Sequence, residues 1–145
     1  MDKVTGHLDK INFNDNPNYP IVEDTLETYL GFIKNWDQET LDHVKEIKAL
    51  GLDEHKNVLF EITVKVSAKN LQEDMEEALR IAKKHHAKMV VFGLNQPNKQ
   101  VYPNLKEKTL ARKILSFAKN LEMPIKDQLV VSGSSFYSFA ENGLI

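Results

Sequence analysis

The sequence contains no cysteine at all. That excludes disulfide bonds, thiolate metal sites and a thiol nucleophile. Its six glycines are scattered, and no glycine-rich loop of the kind that cradles phosphate is present. No apolar run approaches the roughly 20 residues that cross a bilayer, and the first residues lack the basic-then-apolar layout of a secretory leader. Charge of one sign is not in excess either: the formal net charge is -2, which gives no long-range attraction to nucleic acid or to acidic membranes. The expectation is a cytoplasmic protein with no membrane attachment and no direct nucleic-acid binding.

What is present is an ordinary globular composition, 41% hydrophobic and 28% charged over 145 residues, the size of one domain with one core. Residues 1–20 are rich in Asn and Asp, carry Pro17 and Pro20, and show no sustained period. They read as a polar arm, with Ile11-Asn12-Phe13 as a short edge strand. Residues 21–145 read as the domain. Val22, Leu26, Tyr29, Leu30 and Ile33 fall at helical spacing and predict a helix from about Glu23 to Lys34, with Trp36 just beyond it. Ile47 to Leu52 predicts a strand, residues 53–57 a polar turn, and the alternation Phe60, Ile62, Val64, Val66 a partner strand, the two making a half-buried hairpin.

Leu71, Met75, Ala78, Leu79 and Ala82 predict a second helix, acidic at its start and basic at its end as the helix dipole favours. Met89 to Leu94 is apolar throughout and predicts a central strand covered on both faces. A polar loop then leads to a helix from about Leu105 to Leu121, with Leu110, Ile114, Phe117, Ala118 and Leu121 inward and Met123-Pro124 as its stop. Two short strands joined by Gly133-Ser134-Ser135 close the chain. The sum is an α/β fold: a single domain with a mixed β-sheet flanked by helices.

The junction of the apolar strand and its following helix is where such folds place their chemistry. Here it reads Gly93-Leu94-Asn95-Gln96-Pro97, then Asn104-Leu105-Lys106-Glu107. An Asn with a Glu three residues later is a variant capping box, which accounts for both without any metal. Asp127-Gln128 and a closing Ser138-Phe139-Ala140-Glu141-Asn142-Gly143-Leu144-Ile145 follow.

In these stretches the chain from about Ile47 to Ile145 resembles the JAB/MPN (JAMM) domain, and within it the RadC-like branch. That branch is marked by His-x-His-Pro-Ser-Gly, Pro-Ser-x-x-Asp, Asp-His and Ser-Phe-x-Glu-x-Gly-Leu-Leu. The resemblance implies a JAB/MPN fold with layering like that of cytidine deaminases, and in the family a zinc metallopeptidase site. The positions that would carry that site have changed: Leu94 and Gln96 stand for the two His, Asn104 for the Ser and Glu107 for the Asp. The slot of the family's general-base Glu falls near Lys45 or Glu46, so Glu46 is the candidate remnant. Full-length RadC-like proteins carry a helix-hairpin-helix region ahead of this domain. The expectation here is that it is absent, and with it the family's DNA-linked part.

A zinc peptidase needs about three His, Cys, Asp or Glu ligands and an open position for water. Leu94 has no lone pair, the Gln96 amide is a poor donor, and Glu107 is a single ligand. The five histidines, His7, His43, His55, His85 and His86, form no His-x-His or His-Glu-x-x-His pattern. Ser132-Gly133-Ser134-Ser135 lacks the Gly-x-Ser-x-Gly elbow and reads as a hairpin turn. The expectation is a non-catalytic domain with no bound cofactor, acting through protein partners or self-association. The alternatives are a hydrolase with a rearranged site built on Glu46, Glu107 or the histidines, and a DNA-repair-associated protein of RadC type.

Overall fold

The computed structural model describes residues 11–66 and 71–145; His7 and the first half of the expected arm lie outside them. In chain order the elements are β1 (Ile11–Asn14), α1 (Thr25–Asn35), α2 (Gln38–His43), β2 (Glu46–Leu52), β3 (Val58–Lys65), α3 (Leu71–Lys84), β4 (Met89–Asn95), α4 (Leu105–Leu121), β5 (Ile125–Val131) and β6 (Phe136–Ser138). The described residues form a six-stranded sheet in the order β1-β3-β2-β4-β5-β6. β4 and β5 run parallel, bridged by α4, and the other neighbouring pairs are antiparallel. This is the expected α/β layering. Ile11–Asn14 is indeed a strand at one edge, and Met89–Asn95 lies inside the sheet.

Each face of the sheet has its own core. Ile47, Ile62, Val64 and Phe92 pack with Ala78 and Leu79 of α3 and Ile114 of α4. Leu50, Leu52, Val91, Leu129 and Val131 pack on the opposite face with Tyr29 and Phe32 of α1 and Leu41 of α2. Two glycines in the strands allow rings to come close. A Cβ built on Gly51 would fall 2.1 Å from Phe60 Cζ, and one on Gly93 would fall 2.6 Å from Phe32 Cζ.

The buried stripe of α1 differs from the one its leucines suggest. Leu26 and Leu30 are 55% and 53% exposed, while Thr28, Tyr29, Gly31 and Phe32 face inward. The rings decide the orientation, because Tyr29, Phe32 and Trp36 each bury more surface than a leucine, and Tyr29 also donates its hydroxyl to the Ser132 carbonyl at 2.8 Å. The helix begins at an Asp24 cap whose carboxylate accepts the Glu27 N–H at 2.8 Å.

The hairpin of β2 and β3 is also more deeply buried than its alternation implies. Every residue of β2 is buried, since β3 and β4 flank it. The polar members survive by pairing: Lys48 sits 3.5 Å from the Glu61 carboxylate and donates to Thr63 Oγ1 at 2.9 Å. α4 ends at Leu121, just before Met123-Pro124 as expected, where Glu122 adopts a left-handed conformation (φ 61°) and donates its N–H to the Ala118 and Lys119 carbonyls.

Candidate functional site

β4 runs out at Asn95, and the loop beyond it reaches the start of α4, so the sheet delivers Leu94 and Gln96 beside Asn104 and Glu107. Leu94 pairs in register with Ile47 on β2 and Val130 on β5, which places it on the face covered by α3 and α4. Gln96 Nε2 lies 3.4 Å from Glu107 Oε2. A cavity of about 50 Å³ opens here, lined by Lys45, Leu94, Glu107 and Gln128 and otherwise by apolar side chains such as Met75 and Phe92. Three of the four candidate positions thus meet at one place, and Asn104 stands just outside as the helix cap.

The cap is a complete capping box. Glu107 donates its N–H to Asn104 Oδ1 at 2.8 Å, and Asn104 donates its N–H to Glu107 Oε1 at 2.8 Å. Both Glu107 oxygens are therefore engaged, one by the cap and one by Gln96. Asn104→Ala should lower stability by about 1 kcal/mol, whereas Asn104→Ser and Asn104→Asp should cost little. Urea denaturation of the three variants is the check; equal losses for Ala and Ser would mean that Asn104 acts otherwise than as a cap.

The donor set does not fit zinc. Leu94 offers a hydrocarbon, Gln96 an amide and Glu107 one carboxylate that the helix start already holds, fewer than the about three ligands a zinc ion takes. No group of three or more His, Cys, Asp or Glu among the described residues is placed to hold a metal ion. The described histidines form no cluster with a carboxylate: His43 ends α2, His55 lies in the β2–β3 turn, and of the adjacent His85 and His86, just past α3, His85 packs its ring against Phe13 with centroids 4.5 Å apart.

Glu46 is separated from this cluster. Neighbours along a strand point to opposite faces, and Glu46 lines a different, polar cavity of about 420 Å³ with Asp37, Lys48 and Glu61. Lys45, the other residue at the general-base slot, lines the cavity of Leu94 and Glu107 instead. Burial pushes the Glu46 carboxyl above its usual range, against the opposing pull of Lys48 and Lys65. In the same cavity Glu61 accepts a hydrogen bond from Tyr19 at 2.5 Å, and burial, with the Glu61 charge, drives the Tyr19 phenol far upward.

Three further residues matter here: Asn95, which the sequence did not single out, and Asp127 and Gln128, which it matched to the family's Asp-His motif without giving them a role. Asn95 is fully buried. Its amide group donates to the carbonyls of Leu41 (3.0 Å), Val44 (2.7 Å) and Thr40 (3.2 Å), and its oxygen accepts the Glu46 N–H at 2.7 Å. It thereby ties the end of α2 to the strand that carries Leu94. Asp127 accepts from Ser138 Oγ (2.6 Å), Ala140 N–H (3.0 Å) and Gln128 N–H (2.6 Å). Burial raises its pKa in spite of these donors, and they fasten the segment after β6. Gln128 is 7% exposed, and its side-chain nitrogen has no hydrogen-bond partner among the described residues. Ser132 serves its own turn, accepting the Ser135 N–H at 3.1 Å.

A family model described as "RadC-like JAB domain" matches residues 25–144. Among curated proteins, the chain is 28% identical over 102 residues to the UPF0758 protein YkfG of Escherichia coli (strain K12), covering 70% of this chain and 65% of that protein. It is 29% identical over 69 residues to the UPF0758 protein YeeS of the same strain, covering 48% of this chain and 47% of that protein. A UPF0758 protein of Haemophilus influenzae is 33% identical over 90 residues, 62% of this chain and 39% of its own length. The chain thus spans less than two thirds of these relatives.

Proposed function

The chain belongs to the RadC-like JAB domain family, and within that family we propose that it is a non-catalytic member, lacking the zinc peptidase site and acting by binding protein. The observation that carries this reading is the state of the motif cluster: a hydrocarbon at Leu94, an amide at Gln96, and at Glu107 a carboxylate whose two oxygens are held by Asn104 and Gln96. Lys45 adds a cation at the cavity edge, which repels a metal ion. Tyr102 and Leu105, 78% and 76% exposed beside the same loop, supply apolar surface suited to a protein partner or a second copy. No helix among the described residues is long and apolar enough to cross a membrane.

A hydrolase with a rearranged site is the weaker reading, because its candidate carboxylates, Glu46 and Glu107, line different cavities. A DNA-repair role by direct contact is weaker still with a net charge of -2.

Zinc titration of the metal-stripped protein tests the proposal. The wild type should take up no stoichiometric zinc at neutral pH. Leu94→His with Gln96→His should introduce weak binding beside Glu107, and adding Glu107→Asp should tighten it by freeing a carboxylate of the right reach. Tight one-to-one binding by the wild type would overturn the reading.

A further inference from the structure

The polar cavity that Glu46 lines, on the other face of the sheet from the motif cluster, holds more negative charge than its own groups neutralise. Strand register sets its floor: Asn12 and Asn14 of β1 stand against Thr63 and Glu61 of β3, and Lys48 of β2 stands against Thr63 from the other side, so polar side chains share one face of three strands. Asp15 and Asp37 stand at the rim, and the carboxylates of Asp15, Asp37, Glu46 and Glu61 thus surround the single ammonium group of Lys48. That ammonium is already committed. It lies 3.5 Å from Glu61, donates to Thr63 Oγ1 at 2.9 Å and sits 5.1 Å from the centre of the Trp36 ring.

Glu46 is the carboxylate left over. It is 8% exposed and lines the cavity, yet the Trp36 indole N–H that turns toward it stays outside hydrogen-bond geometry. Lys65, opposite Glu46 on β3, is exposed, and its pull does not offset the effect of burial on the carboxyl group. A carboxylate so far out of water is destabilised unless a cation or several donors meet it.

Size and geometry narrow the cation. The cavity volume of about 420 Å³ falls within the roughly 300–1,000 Å³ of small-ligand sites. No group of three or more His, Cys, Asp or Glu among the described residues is placed to hold a metal ion, so an organic cation fits better than a metal. A guanidinium suits the place more than an ammonium, because its planar fork of N–H donors matches a carboxylate and its weaker hydration makes it easier to bury. Asn35 offers it a further acceptor: the Asn35 side-chain nitrogen is used on the Asn18 and Gly31 carbonyls, and its oxygen remains for the cavity it lines.

We infer that this cavity binds an alkylguanidinium, its N–H donors on the Glu46 carboxylate, carried by a free small molecule or by an arginine side chain of a partner. The site is independent of the motif cluster, so each reading can fail alone.

The test is titration of the ¹⁵N-labelled protein with agmatine, with N-acetyl-Ala-Arg-Ala-amide, and with the same peptide carrying citrulline, which keeps the shape of arginine without its charge. The reporter is the indole N–H signal of Trp36, the single tryptophan of the chain. Agmatine and the Arg peptide should shift it saturably, and the citrulline peptide should bind more weakly by about tenfold or more. Tighter binding of agmatine assigns the site to a free small molecule, and tighter binding of the Arg peptide assigns it to a protein. Glu46→Gln should weaken both cations by about tenfold or more. Asn12→Lys, at an exposed position of the rim, adds a repelling charge without touching the core and should weaken them as well. No saturable shift with either cation, equal binding of the citrulline peptide, or undiminished affinity in either folded variant would each overturn the proposal.

Discussion

Asn95→Ala is expected to lower the unfolding free energy by about 3–4 kcal/mol, a large part of the ~5–15 kcal/mol that holds a domain of this size together. The side chain lies at 0% exposure and links four backbone groups. Removing it strands the Leu41 and Val44 carbonyls and the Glu46 N–H away from their partner, each at about 1–3 kcal/mol before water enters the gap. Thr40 O loses less, because the Val44 N–H also reaches it at 2.9 Å. Asn95→Asp should be at least as damaging despite equal size, since it sets a carboxylate against three carbonyl oxygens. Urea denaturation of both variants provides the measurement. A loss below about 1 kcal/mol for Ala would show that the bridge between α2 and β4 contributes little.

Gly93→Ala should cost about 3 kcal/mol, the upper part of the range for overpacking a core. The added methyl would come within 2.6, 2.8 and 2.9 Å of three atoms of the Phe32 ring, and that ring is fully buried with no solvent to swing into. The strain belongs to the pair, so a smaller partner should relieve it. Phe32→Leu alone should destabilise by leaving a void, while the double variant should be more stable than the sum of the single losses by roughly 1–2 kcal/mol. Strict additivity in this cycle would mean that backbone movement, rather than the ring, absorbs the methyl group.

The contrast between these residues and the capping box indicates what the sequence makes legible. Asn104 and Glu107 stand three apart and satisfy each other locally, so the start of α4 could be read directly, as could β4 from its unbroken apolar run. Asn95 could not, because its partners lie some fifty residues earlier and an Asn after a strand usually signals a turn. Leucine spacing misplaces the inward face of α1 because it carries no information about which side has ring-sized space. Glu46 and Lys45 differ by one position, which in a strand is the difference between two faces of the sheet. That parity is fixed only when the register of Ile47 with Leu94 is known. The burial of Lys48 was hidden for a related reason: a lone lysine reads as surface, and only its pairing with Glu61 across the hairpin makes the interior tolerable.

The outer strands of the sheet have a consequence for behaviour in concentrated solution. β1 offers four residues and β6 three, and β1 has Asn at two of its four positions and is followed by Asp15, Asn16 and Pro17. Among the described residues, an incoming chain seeking to extend the sheet finds only a short ladder at either end, shorter than the long flat edges that invite stacked, fibre-like growth. Stickiness in this protein is therefore displaced from backbone to side chains. Self-association at high concentration should be governed by exposed leucines such as Leu26 and Leu30, and should be reversible and sensitive to surface substitution.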